Sequence, residues 1–219
     1  SALIVGEIRS GEASALYEAM RIGASANVVA GTIHGDSPYG VFDRVVNDLG
    51  VPRTSFKATD LIVMCNPIRS ADGMKKVRRV TSITEVRKEW EEDPLKERGF
   101  VDLMKYNAKT DMLEPTPELI NGESEILKAI GANVKEWVGN WDAIWENILL
   151  RGELKKMLVD YSERSKMPKL LEAEFSLRCN DQLYRITEQV QSEVGSVDVK
   201  RIKSEWEEWL KKEISKKQI

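Results

Sequence analysis

The sequence predicts an α/β fold, part of a mostly parallel sheet with antiparallel edge strands, followed by an all-helical region. Three observations carry this. Short uninterrupted apolar runs alternate with helical patterns over the first ninety residues, as expected of strands covered on both faces by crossover helices. A meander of β-branched and apolar segments follows. Beyond Pro115 and Pro117 the apolar residues recur at three-and-four spacing, which places them on one face of a helix. The expected domains are 1–115 and 116–219.

Leu3-Ile4-Val5 is short and apolar, and reads as a strand buried on both faces. Glu12 to Ile22 reads as a helix with Ala15, Leu16, Ala19 and Met20 on one side. Val28 to His34 is a second strand. Tyr39 to Leu49 is a second helix, opened by Ser37-Pro38 and closed by Gly50. Proline at the first helical position sacrifices no hydrogen bond, so the Ser-Pro pair is a sound start. Asp60 to Cys65 is a third buried strand, ended by Asn66-Pro67. Met74 to Val86 follows the turn Ala71-Asp72-Gly73. Its apolar residues recur every three, yet its β-branched content argues for a strand that a bulge would accommodate. Phe100 to Tyr106 and Met112 to Glu114 are expected to form a hairpin across Asn107 to Asp111. The helical region runs from Ile126 to Leu149 and on past Gly152 to Tyr161. Pro168 breaks it, and helices over Leu170 to Val194 and Val199 to Ile214 complete it. Five of the six tryptophans lie there, and at helical spacing they read as core.

Composition narrows the function classes. The 219 residues are 42% hydrophobic and 32% charged, ordinary for a globular chain. A net charge of −3 offers no global attraction to nucleic acid. No apolar run approaches the roughly 20 residues of a membrane-spanning helix. Cys65 and Cys179 have no metal-type spacing and read as reduced, partly buried thiols.

Few residues can carry chemistry. Glu7 stands at the C-terminal end of the first strand, where α/β sheets bind ligands. Such a carboxylate can orient an attacking water, or it can cap the next turn or pair with Arg9. Thr32 and His34 are two apart and so share one face of the second strand. If that strand neighbours the first, His34 and Glu7 meet in one crevice. A histidine there can donate to a terminal phosphate; alone, it reads equally as a satisfied core histidine. Arg9 can reach an anion or pair with Glu7 or Glu12, whereas Arg44 is expected to pair locally with Asp43 or Asp48 or to face a subunit edge. Lys75-Lys76-x-Arg78-Arg79 could face phosphate or acidic lipid, or be a solvated strand edge. It lacks interleaved aromatics, which argues against nucleic acid. No Gly-x-x-x-x-Gly-Lys-Ser/Thr loop occurs, so tight ATP binding by these residues alone is not expected.

Gly6-Glu7-Ile8-Arg9-x-x-Glu12-Ala13 resembles the Walker B box of the type II and type IV secretion ATPases, the motors of pili, archaella and secretion. Ala15-Leu16-x-x-Ala19-Met20-x-x-Gly23 resembles the helix that follows that box, and Gly31-Thr32-Ile33-His34-Gly35-Asp36-Ser37-Pro38 the family's His box. Tyr39 to Pro52 and the strand Arg78 to Val86 are most similar to the archaeal branch. The likeness covers roughly residues 2–115; the rest matches only in being helical. It implies a RecA-like ATPase domain, of which 1–115 would be the C-terminal half. It further implies a homohexameric motor, cytoplasmic and peripheral at the inner face of the membrane, coupling ATP hydrolysis to work on a platform protein.

By this likeness Glu7 and His34 are catalytic, with Glu7 reaching Mg2+ through water. Arg9 and Thr32 bind or sense nucleotide. Many relatives carry a second histidine where this chain has Asn27, so a two-histidine sensor is not expected. The Walker A loop, the acidic box and the N-terminal domain are missing. The chain is therefore expected to be the C-terminal piece of a longer ATPase, inactive alone, with Ser1 a splice, proteolytic or engineered end. The rival expectation is a non-catalytic docking module that uses helices 116–219. A weaker third is a nucleotide switch unrelated to secretion.

Overall fold

A computed structural model describes residues 2–22, 28–70 and 73–216. Ser1, Gly23, Asn27, the Ala71-Asp72 part of the expected turn and Lys217 lie outside the described residues. The chain divides into two compact units, Ser1–Ile130 and Gly131–Ile219.

The first unit begins with a strand–helix–strand unit. β1 (Ala2–Val5) leads into α1 (Ser10–Ile22), and β2 (Val28–Gly31) lies parallel to β1 with Val5 opposite Gly31. The short helix α2 (Pro38–Asp43) follows. Ser37 caps it by accepting from the Gly40 amide, with Pro38 at its first position. A π turn over Arg44–Asp48 continues it, and α3 (Arg53–Phe56) is a further single turn. β3 (Leu61–Arg69), β4 (Lys76–Val86), β5 (Phe100–Asn107) and β6 (Met112–Pro115) form a separate antiparallel sheet in chain order. α4 (Pro117–Ile120) and α5 (Glu125–Gly131) complete the unit.

The architecture is thus mixed α/β, and the mostly parallel sheet is corrected. Among the described residues only β1 and β2 are parallel, and the strand expected third in that sheet belongs to the antiparallel one. Its burial alternates: Ile62 and Met64 are buried while Leu61 and Val63 are exposed. One face therefore meets the core and the other meets solvent. Nor does the strand end at Asn66-Pro67. It runs on to Arg69, because β3 is an edge strand and a proline there need not donate to the ladder. The bulge allowed for in Met74 to Val86 is present, as a register shift opposite Met64 and Cys65. β1 departs from expectation too: Leu3 and Ile4 are 45% and 76% exposed.

One core joins the strand–helix–strand unit to the antiparallel sheet. α1 contributes Ala13, Leu16 and Tyr17, while β3 contributes Ile62 and Met64. At its centre Phe42 meets Phe56 and Trp90 edge-on, with ring centroids 5.1 and 5.5 Å away. Glu85, fully buried on β4, holds α5 to the sheet. It accepts from the Ser124 hydroxyl and from the Glu125 amide at 3.0 Å, and Arg87 Nε lies 3.0 Å from it. The residues after Pro115 thereby belong to the sheet unit as far as Ile130.

In the second unit, α6 (Trp141–Ser165), a 3-10 turn (Pro168–Leu171), α7 (Ala173–Val194) and α8 (Val199–Ser215) surround their own core. The helical run expected from Ile126 to Leu149 is interrupted between Gly131 and Trp141. Trp206 is buried and donates to the Cys179 carbonyl, whereas Trp137, Trp141 and Trp145 are half-buried. Among the described residues no helix is long and apolar enough to cross a membrane.

Glu85→Ala is expected to lower stability by about 3 kcal/mol, read as a shift in denaturant midpoint, because it strands buried donors. The thiols are unlike each other. Cys65 is exposed, correcting the expectation of partial burial, and burial pushes the Cys179 thiol up to about 11. Thiol titration of the folded chain should show one fast group, removed by Cys65→Ser; the slow group should react only on unfolding.

Candidate functional site

The parallel pairing continues past the last residues of β1 and β2. The Ile8 amide donates to the Thr32 carbonyl at 2.8 Å, and the Thr32 hydroxyl donates to the Gly6 carbonyl. These bonds fasten Gly6-Glu7-Ile8 alongside Thr32-Ile33-His34. Ile8 and Leu16 pack so closely over Gly31 that a Cβ there would stand 2.9 Å from Ile8 Cδ1. A side chain at this position would force Ile8 to move from where the two segments approach.

Glu7 and His34 emerge together from this junction. His34 Nε2 lies 3.6 Å from Glu7 Oε1, too long for a direct hydrogen bond. Their side chains are 38% and 82% exposed, so the pair faces outward and both groups keep capacity for a ligand. The other carboxylate oxygen, Oε2, accepts from Arg9 at 2.7 Å. That bond and the charge of Arg9, with smaller contributions from His34 and Arg44, hold the Glu7 carboxyl below the usual carboxylate range. A carboxylate so stabilised is a weak base but a good fixed acceptor, suited to orienting a water.

The sequence-derived residues thus converge in part. Glu7, Arg9 and His34 form one group. Thr32 is beside it, but its hydroxyl is engaged in holding the two segments together. Arg44 does not form the local ion pair expected of it. Among the described residues it makes no ion pair with Asp43 or Asp48, and Asp43 instead accepts from Asn47. Its buried Nε has no partner and its charge acts on Glu7.

His34 and Thr32 also line an open cleft of about 850 Å3, whose other wall carries Cys65, Lys76 and Arg78. Among the described residues no cluster of three or more metal-ligating side chains exists. A lone carboxylate fits a magnesium ion held through water, with phosphate oxygens supplying inner ligands.

No family model matches the chain. The uncharacterized protein MJ1287 of Methanocaldococcus jannaschii is 32% identical over 130 residues, covering 58% of this chain and 43% of that relative. The chain spans less than half the length of the curated relative it matches.

Arg9→Ala should raise the Glu7 carboxyl toward its ordinary value, because it removes the largest cause of the lowering. A carboxyl carbon NMR titration reads this directly. The sign follows from linkage. A depressed folded value stabilises the chain above the unfolded value, and the effect is lost as pH falls through the folded one. In Arg9→Ala that acid-side loss should therefore diminish. An unchanged Glu7 titration would remove Arg9 as its partner.

Proposed function

We propose that this chain is the Walker B and His-box portion of a secretion-family ATPase, part of a RecA-like domain. It would work within a homohexamer that couples ATP hydrolysis to filament assembly or secretion through a membrane platform protein. The observation that carries this reading is the convergence of Glu7 and His34 from two parallel strand ends, 3.6 Å apart and open to solvent. Phosphoryl transfer to water has a loose transition state, so positioning and electrostatics do most of the work. Glu7, anionic and clamped on one side by Arg9, would orient the attacking water with its free oxygen. His34 would donate to the terminal phosphate from the end of the neighbouring strand. Mg2+ bound with the nucleotide supplies charge neutralisation of the phosphates, and Glu7 would contact it through water.

The chain contains no Walker A loop. On this reading a further segment supplies the amides and lysine that hold the phosphates, and the chain is inactive without it. The relative's greater length supports a longer whole protein. The motor would act in the cytoplasm, peripheral to the membrane.

The test is magnesium-dependent ATP hydrolysis by the chain recombined with the Walker A-bearing polypeptide. Glu7→Gln is expected to lower the rate roughly 10²–10⁴-fold with folding intact. Full activity in Glu7→Gln would overturn the catalytic reading and favour the docking module.

A further inference from the structure

The basic run of β4 is divided by the pleat into two functions. Arg79 is consumed structurally. Its guanidinium grips Asp111 at 2.8 and 2.7 Å, and together with Tyr106 it holds that carboxyl down at about 2. Lys76 and Arg78 are two apart and share a face. Both are exposed, and among the described residues neither side chain has a carboxylate partner. Cross-strand pairing adds a third cation, since Arg69 of β3 lies directly opposite Lys76. Like charges facing each other across an antiparallel ladder destabilise it. A solvated edge needs no such crowding. A site for a polyvalent anion does, because the ligand converts the repulsion into shared attraction.

Lys76 and Arg78 line the cleft that His34 and Thr32 line from the end of β2. Among the described residues that line it, none is acidic. About 850 Å3 falls within the usual range for small-molecule sites and exceeds what one phosphate fills. The geometry points to a phosphate-chain site in which His34 forms one wall and Lys76 with Arg78 the other, taking pyrophosphate or the phosphate tail of a nucleotide. This deepens the proposed ATPase reading and rests on it for the role of His34. The paired strands β3 and β4 thereby become part of the ligand site rather than a remote edge. The cations would flank the chain of phosphates, beside the separate segment that supplies the Walker A amides and lysine, while His34 addresses its end.

The test is calorimetric titration of the full chain with pyrophosphate, and separately with inorganic phosphate and with vesicles containing phosphatidylserine. Saturable pyrophosphate binding is expected. The double variant Lys76→Gln/Arg78→Gln should weaken it about tenfold or more and flatten its salt dependence. Arg79→Gln, which removes one positive charge from the other face, should leave it within about twofold. Thermal melts of each variant establish that the fold persists. Absent pyrophosphate binding in the wild type overturns the proposal, as does equal loss in Arg79→Gln. Vesicle binding without pyrophosphate binding also overturns it, assigning the cations to a lipid surface. Glu7→Gln separates the two readings. Pyrophosphate binding that depends on Lys76 and Arg78, with hydrolysis surviving Glu7→Gln, upholds this site and defeats the catalytic one. Hydrolysis lost in Glu7→Gln, with binding indifferent to Lys76 and Arg78, does the reverse.

Discussion

The register of β1 against β2 is the constraint from which the site follows. Val5 opposite Gly31 places the Glu7 and His34 segments side by side, and the Ile8–Thr32 and Thr32–Gly6 bonds keep them there beyond the regular strands. A slip of one residue would turn alternate side chains to the other face and part the pair. Gly31 makes the close approach sterically possible, and Leu16 on α1 presses over it. The Thr32 hydroxyl therefore also matters as a fastener between the two segments.

Charge around the site is arranged asymmetrically. Arg9 neutralises one side of Glu7, and Arg44 contributes from the helix that follows His34. The net effect keeps the carboxylate ionised while leaving one oxygen turned to His34. Across the cleft, Lys76 and Arg78 lack acidic partners among the described residues, while their neighbour Arg79 is fully engaged. A strand separates these roles by alternation alone, so a run of basic residues need not have a single function.

The antiparallel sheet does two jobs. Its inner face supplies Ile62 and Met64 to the core under α1, α2 and α3, around Phe42, Phe56 and Trp90. Its first two strands carry the cations to the cleft. Glu85 anchors the far side of the same sheet to α5, so the segment after β6 is a continuation of the sheet unit. The helical unit beyond Gly131 has a separate core of leucines, Phe175, Val190 and Trp206.

The sequence by itself determined the elements whose causes are local. Ser37-Pro38 announced a helix start that the structure caps through the Ser37 side chain. Glu7 and His34 were legible as residues near strand ends, and three-and-four apolar spacing marked the long helices, although the residues after Pro115 belong to the sheet unit as far as Ile130. Only tertiary structure decided which strands pair. Asp60 to Cys65 reads as a buried strand of the parallel sheet, yet β3 joins an antiparallel edge instead, because pairing depends on distant partners that periodicity does not encode. The same holds for Arg44, whose nearest acids in sequence are not its partners in space. It holds too for Lys76 and Arg78, whose shared cleft with His34 arises only when two sheets pack on one core.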